Sequence, residues 1–430
     1  MKQKLTQLVE SFQKQIRENP VLENFPYWVA GFLVGGLAIF YSQLFEEAIV
    51  TARWVLSHHP SWLFLLAPVS FVLGRWLVEK YAPTAGGTGV PQVIQALSLD
   101  SPRQNLEIES ILSLKVATIV ILSSIVCALG AGSLGREGPM VHIGACVFYV
   151  VGKKFGKIWP VVEHRSWIMA GAAAGIAAAF NAPLAGVVFV LEELAQQHFH
   201  RFKTAVLTAA IIGGVVSQWL SGRYLFLGYP KLGVVPLSAI PWALGLGVFA
   251  GLVSVPFILM GSTKVRNWFS HYFETRIQIA AATGVAVAAI AVFLNQNSIG
   301  GGISVIQSLL FEPDFKADWT LVASRFLATS LSHLSGCAGG FLAPSLALGA
   351  AIGSWFSSMT DYSNHNLLVL VGMSAFLSAV VRAPFTAWVI VMEMTDRRSA
   401  IFPLMVASIA SYGTSRFIQQ RIKKTQQGDS

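Results

Sequence analysis

Several stretches of this sequence contain no Asp, Glu, Lys or Arg and consist mainly of apolar residues. Each has the roughly 20 residues that a helix needs to cross the hydrocarbon core of a bilayer. The sequence therefore predicts an all-α polytopic membrane protein, with room for on the order of a dozen membrane segments. The stretches are Pro26–Phe45, Val116–Gly135, Ser166–Leu191, Leu232–Thr263, Ile277–Phe311 and Phe326–Thr360.

The distribution of charge supports this prediction. Charged residues make up 12% of the chain, about half of the ~25% that is usual in soluble proteins. This composition excludes intrinsic disorder, a coiled coil and nucleic-acid binding. The net charge of +9 comes largely from basic residues near both ends. The positive-inside rule then predicts that both termini are cytoplasmic, and we expect a multi-pass protein of the cell (inner) membrane. These basic residues are Lys2, Lys4, Lys14, Arg17, Arg416, Arg421, Lys423 and Lys424.

The cysteines and histidines do not form a recognisable metal site. Cys127, Cys146 and Cys337 each lie beside small residues in apolar stretches, and the sequence contains neither CxxC nor HExxH. Glu193 and His198 are five residues apart, which is the wrong spacing for one face of a helix. We therefore predict that the cysteines pack in the core, and that the protein has no metal and no cofactor.

Three segments of the first half recur in the second half, in the same order and at offsets of 201 to 213 residues. The repetition predicts two homologous membrane repeats, at 26–225 and 226–415. An amphipathic cytoplasmic helix (1–25) would precede them and a short basic tail (416–430) would follow. The matching segments are Gly87–Leu97 with Gly300–Leu310, Pro139–Ala145 with Pro344–Ala350, and Gly171–Glu192 with Gly372–Glu393.

Glycine and proline interrupt the apolar stretches at 85–91, 130–139, 299–302 and 336–344. Backbone that leaves a helix inside a membrane must be buried in protein or must line a cavity. The N–H groups at the start of a helix attract anions, because they are unpaired and lie at the positive end of the helix dipole. Paired breaks therefore favour an anion site between the repeats, as in many transporters. The alternative is that the glycines only permit close packing of helices.

Ionisable side chains within membrane segments are rare and usually functional. Glu137 follows Arg136 at a break and is placed to start a helix. There it could compete with a bound anion until it is protonated, or it could simply cap the helix. Glu192 and Glu393 are related by the repeat, which predicts a shared structural role. Glu193 corresponds to Met394, so it is either a proton acceptor or an exposed helix end.

The motifs at these breaks resemble those of the CLC family of chloride channels and chloride/proton exchangers, of the bacterial type without a cytoplasmic regulatory domain. The family's GSGIP motif appears as GTGVP (Gly87–Pro91), GREGP is intact (Gly135–Pro139), and GxFxP appears as GFLAP (Gly340–Pro344). The stretches GAAAGIAAAFNAPLAGVVFVLEE and RAPFTAWVIVMEMTD are also similar to the family. The resemblance extends from about residue 30 to about residue 415 and implies a CLC-like fold of two inverted-topology repeats with broken helices.

The resemblance also implies roles for individual residues. Glu137 occupies the position of the external gating glutamate, and Glu193 that of the internal glutamate that relays protons. Thr88 replaces the family's central serine and keeps a hydroxyl donor. The anion-binding positions implied in this way are Thr88, Gly89, Val90, Arg136, Glu137, Gly138, Phe341 and Leu342.

Two positions depart from the family pattern. The usual Ile-Phe order is replaced by Phe341-Leu342, which displaces the aromatic ring by one position. Ungapped alignment places Lys424 where the family has its inner-gate tyrosine, and no tyrosine follows Tyr412. A missing tyrosine would weaken the inner gate and loosen coupling between protons and anions.

The predicted function is exchange of chloride, or a similar small anion, for protons across a membrane. A passive or weakly coupled anion channel of the same fold is the alternative. The sequence has no motif for an enzyme nucleophile, so we do not expect an enzyme. The expected partners are chloride, protons, the lipid bilayer and a second copy of the chain in a homodimer, with no nucleic acid.

Overall fold

The computed structural model describes residues 19–99, 104–155, 164–194, 199–222, 225–262, 265, 267–268, 272–273 and 275–428. Its regular elements are helices, and the only β-type pairings in these residues are two isolated bridges, Gly87 with Ala338 and Gly135 with Gly340. The helices of the first half are α1 Pro20–His58, α2 Leu63–Tyr81, α3 Val90–Ser98, α4 Gln104–Ile111, α5 Leu114–Leu129, α6 Glu137–Phe155, α7 His164–Phe180, α8 Pro183–Phe189 and α9 Phe199–Ser221.

The second half continues with helices of similar lengths and order. They are α10 Ala239–Met260, α11 Arg276–Ala289, α12 Ile303–Phe311, α13 Trp319–Leu334, α14 Leu342–Thr360, α15 His365–Val381, α16 Pro384–Thr395 and α17 Ile401–Gly428. Residues 1–18 of the predicted surface helix lie outside the described ranges.

The helices differ widely in length. Seven helices in the described residues are long and apolar enough to cross a membrane, by length and composition. In contrast, α3, α8, α12 and α16 have only 9, 7, 9 and 12 residues. Helices α3 and α12 begin at the breaks predicted at 85–91 and 299–302. Pro183 and Pro384 occupy the first turns of α8 and α16, where a missing N–H costs nothing.

The two halves use the same packing pattern. Helix α6 packs against α7 and α7 against α9, just as α14 packs against α15 and α15 against α17. At equivalent turns, Asn181 and Arg382 both adopt left-handed backbone conformations, with φ of 53° and 64°. Nearly every residue of α7 and α15 is buried, so these two apolar helices form the centre of the protein. The repeat boundaries at 26–225 and 226–415 stay a prediction.

Glycines allow the central helices to touch backbone to backbone. A Cβ added to Gly171 on α7 would lie 2.4 Å from the carbonyl oxygen of Gly144 on α6. The equivalent Cβ on Gly372 of α15 would lie 2.3 Å from the carbonyl oxygen of Gly349 on α14. Gly171 and Gly372 therefore serve the close packing of helices, because small residues let membrane helices approach closely.

We predict that Gly372→Ala lowers the free energy of unfolding by about 1–3 kcal/mol, because the new methyl group overlaps backbone that cannot move independently. Gly36→Ala is the control, since a Cβ at Gly36 meets nothing within 4 Å. Both variants would be unfolded by heat in detergent and followed by tryptophan fluorescence. Equal midpoints for the two variants would contradict the packing argument.

Candidate anion and proton site

Backbone hydrogen bonds join the three glycine-rich motifs at one place. The N–H of Gly87 donates to the carbonyl oxygen of Cys337 (2.9 Å), and the N–H of Gly339 donates to that of Gly87 (3.0 Å). Gly135 and Gly340 exchange both of their backbone hydrogen bonds at 2.7 Å. Segments that are about 50 to 250 residues apart in sequence are thereby held together, and their unwound backbone remains paired.

The same loops approach so closely that side chains are excluded between them. A Cβ on Gly138 would lie 2.3 Å from the carbonyl oxygen of Thr88, and one on Gly340 would lie 2.8 Å from the backbone nitrogen of Gly138. Gly89 precedes α3 with φ of 89°, a conformation that L side chains rarely adopt. The starts of α3, α6 and α14 consequently converge, and their N-terminal dipoles favour negative charge there.

Thr88 contributes an unused polar group to this convergence. Its side chain is 4% exposed, and its hydroxyl oxygen has no hydrogen-bond partner among the described residues. Buried hydroxyl groups are normally paired. The hydroxyl of Thr88 is therefore available to a bound anion.

Glu137 is the first residue of α6 and is 1% exposed. Its carboxyl group lies beside Gly135, where a Cβ would stand 2.3 Å from Glu137 Oε2, and it also interacts with the backbone N–H of Ala343 on α14. Oε2 has no hydrogen-bond partner in the described part of the chain. The carboxylate thus lies between two helix N-termini, a position that suits an anion.

A vestibule of about 540 Å³ opens beside Glu137. Arg136 projects into it and donates to Glu46 at 2.8 Å. Arg53 also lines the vestibule and donates to Ser304 at the start of α12 (2.7 Å). Arg136 therefore lies in the vestibule that leads to the site, and not at the centre of the site.

Phe341 and Leu342 lie at the start of α14, as the motif predicts. Leu342 is buried at 4% exposure, whereas the ring of Phe341 makes an edge contact with His333, with centroids 6.0 Å apart. The reversed order of these two residues directs the aromatic ring toward the end of α13.

Glu193 lies away from this cluster, in a π-helical turn (Val190–Leu194) that extends α8. It is partly buried and lies in the electrostatic field of Glu192 and Arg382. No hydrogen bond or ion pair of the described residues joins it to Glu137. The two predicted proton residues are therefore separate positions in the structure.

Glu192 and Glu393 each cap the short helix of the opposite half. The carboxylate of Glu192 accepts hydrogen bonds from the first turn of α16, and that of Glu393 accepts from the first turn of α8. This reciprocal arrangement is the shared structural role predicted from the repeat. The donors to Glu192 are the N–H groups of Phe385 (3.0 Å) and Thr386 (2.7 Å) and the Thr386 hydroxyl (2.8 Å), and those to Glu393 are the N–H groups of Leu184 (3.0 Å) and Ala185 (2.8 Å).

Arg325 is a charged residue of this region that sequence reasoning missed. It is fully buried and donates to the carbonyl oxygens of Gly300 (3.0 Å) and Ile299 (3.4 Å). None of the described residues forms a carboxylate ion pair with it. In the sequence it immediately precedes the uncharged stretch that begins at Phe326, a position that is typical of the exposed end of a membrane segment.

The position that alignment gives to the inner-gate tyrosine lies on the C-terminal helix. Helix α17 runs without interruption from Ile401 to Gly428, through the exposed Lys424. The hydroxyl of Tyr412, the last tyrosine, accepts from Arg416 at 3.0 Å on the same helix. Among the described contacts, neither Tyr412 nor Lys424 touches Thr88.

A family model for the voltage gated chloride channel matches residues 69–416. This chain belongs to that family, the CLC family. Curated relatives include an H(+)/Cl(-) exchange transporter of Cronobacter sakazakii, 31% identical over 417 residues, which cover 90% of this chain and 85% of the relative. One from Salmonella arizonae is 30% identical over 414 residues, covering 90% and 84%.

Solved structures show the same fold. A slow cyanobacterial Cl⁻/H⁺ antiporter matches with a TM-score of 0.79 and 24% identity, over 92% of this chain and 94% of the antiporter. A CLC-type fluoride/proton antiporter matches with a TM-score of 0.75 and 22% identity, over 91% and 95%. The fold predicted from the sequence motifs is confirmed.

We predict that Glu192→Ala lowers the free energy of unfolding by about 0.5–2 kcal/mol, because the N–H groups at the start of α16 lose their acceptor. Glu393→Ala should have a similar effect through α8. Glu312→Ala is the control, because Glu312 is an exposed residue whose carboxylate accepts, within the described part of the chain, a hydrogen bond from Ser308 alone. Equal stability of all three variants in detergent would show that the caps contribute nothing.

Proposed function

We propose that this protein exchanges chloride for protons across the cell (inner) membrane. The observation that carries the proposal is the placement of Glu137. Its buried carboxyl group, with Oε2 unpaired, occupies a position that suits an anion at converging helix N-termini. A carboxylate and a chloride ion would compete for such a place. The names of the curated relatives support the same pair of ions.

The anion would be held mainly by backbone. The N–H groups near Gly89 and Val90 at the start of α3, Gly138 at the start of α6, and Phe341 and Leu342 at the start of α14 surround the site. The unpaired hydroxyl of Thr88 adds a donor. These dipoles stabilise an anion without carrying full charges, so they permit release as well as binding.

The proton would travel by a route that is partly separate. Protonation of Glu137 removes its negative charge, which lets the side chain give up its place to an anion. Glu193 would receive the proton from the opposite side, because it is the partly buried carboxyl group without a counterpart in the other half. The proposed orientation has the vestibule at Glu137 outside and both basic termini in the cytoplasm. As in the family, we expect a homodimer.

A weakly coupled anion pathway is the second candidate. It is favoured by one specific observation, the uninterrupted α17 without a tyrosine beyond Tyr412. An inner opening without that side chain would let anions pass independently of protons.

A chloride gradient imposed on proteoliposomes tests the proposal, with external pH recorded in weak buffer. Uphill proton movement that requires chloride would support exchange. Chloride flux without any proton movement would overturn exchange and support the weakly coupled pathway.

We predict that Glu137→Ala abolishes proton movement while chloride flux continues, because no carboxyl group remains to carry the proton or to compete with the anion. Glu312→Ala, which removes an exposed carboxyl group elsewhere, is the control. Chloride flux would be measured with an electrode and proton movement with a pH electrode. Normal proton movement in Glu137→Ala would refute the assignment of the gate.

We predict that Glu193→Gln stops proton movement but leaves chloride binding intact, because the amide keeps the shape of the side chain and cannot exchange a proton. Glu192→Gln is the neighbouring comparison. If Glu193→Gln moved protons normally and Glu192→Gln did not, the relay would have to be reassigned to Glu192. Chloride binding would be measured by isothermal titration calorimetry.

A further inference from the structure

A cavity of about 310 Å³ lies between the C-terminal ends of α15 and α17, apart from the vestibule at Glu137. Three basic side chains line it: Arg382, Arg416 and Lys423. Its other lining residues are uncharged, and they include Tyr412 and Gln419. The cavity therefore has a local charge of +3 from its walls.

No carboxylate of the described residues forms an ion pair with the basic groups of this cavity, although Arg382 lies in the electrostatic field of Glu193. Arg382 donates to the amide oxygen of Gln419 (2.7 Å), and Arg416 donates to the hydroxyl of Tyr412 (3.0 Å). Both partners are neutral. Within the described ranges, no carboxylate lies within 4.0 Å of any of the three basic groups. Three like charges that share one cavity repel each other, so an anion bound among them would lower their energy.

The turn itself does not require a cation at Arg382. At the equivalent turn of the first half, Asn181 occupies the position of Arg382, and it accepts a hydrogen bond from Ser217 on α9 (3.0 Å). That corner achieves the same left-handed turn with neutral side chains. Arg382 is therefore an addition to the shared architecture, which calls for an explanation other than the geometry of the turn.

We propose that this cavity binds a phosphate group. A guanidinium group matches phosphate through paired N–H donors, and lysine adds a point charge. A single chloride ion would leave most of the cavity unfilled and could not bridge its walls. Two sources supply phosphate here: the headgroup of an anionic lipid, since the cavity lies near the end of a membrane helix, and a phosphate compound in solution.

Binding would be measured on the purified full chain in neutral detergent at low salt. Isothermal titration calorimetry with pyrophosphate tests the soluble source. Native mass spectrometry with phosphatidylglycerol against phosphatidylcholine tests the lipid source. The test variant is Arg416→Gln/Lys423→Gln, which removes two cations of the cavity. The matched control is Arg421→Gln/Lys424→Gln, which removes two cations of the same kinds from the same helix, outside the cavity lining.

Pyrophosphate binding that weakens about tenfold in the test variant and persists in the control would establish a site for soluble phosphate. Selective retention of phosphatidylglycerol, lost in the test variant alone, would establish a headgroup site. The proposal is overturned if neither ligand binds, or if both double variants weaken binding equally. These outcomes are independent of transport, so failure of chloride/proton exchange would not be confused with them.

Discussion

The structure depends on a single constraint, which is that backbone unwound inside an apolar protein must still find hydrogen-bond partners. The loops around Gly87, Gly135 and Gly340 meet this constraint by pairing with one another, and side chains such as Ser123, which accepts from the N–H of Ala338, complete the pairing. Because their carbonyl oxygens and N–H groups approach so closely, only glycine fits at the contact points. The remaining N–H groups, at the starts of three helices, are left facing a common centre. The proposed anion site would thus be a consequence of the way the broken helices are held together.

The same constraint explains why part of the site could be predicted from the sequence. Gly-rich breaks, a proline in the first turn and a helix start at Glu137 are local features, and they lie where the motifs place them. The shared role of Glu192 and Glu393 was predictable because both residues belong to one repeated segment. Their partners were not, since each carboxylate bonds to a helix about 200 residues away in sequence.

Other features depend on contacts that the sequence does not encode locally. Arg325 stands at the edge of an apolar stretch, and only the tertiary structure shows that it is buried against the carbonyl oxygen of Gly300. The course of α17 is a similar case. The motif comparison predicts that Lys424 stands at the position of the inner-gate tyrosine, and only the structure shows that this position lies within one continuous helix from Ile401 to Gly428.

Glu393 caps α8 and Glu192 caps α16, and this reciprocal capping has a mechanical consequence. Each half of the protein holds the end of a helix that belongs to the other, so a tilt of one half against the other would stretch both attachments at once. These two attachments raise the energy of large rocking motions of one half against the other, and they favour a rigid arrangement of the helices. Changes of access would then have to come from small movements, such as the rotation of a single side chain at Glu137. An arrangement of this kind lets two ions alternate while the surrounding helices stay still.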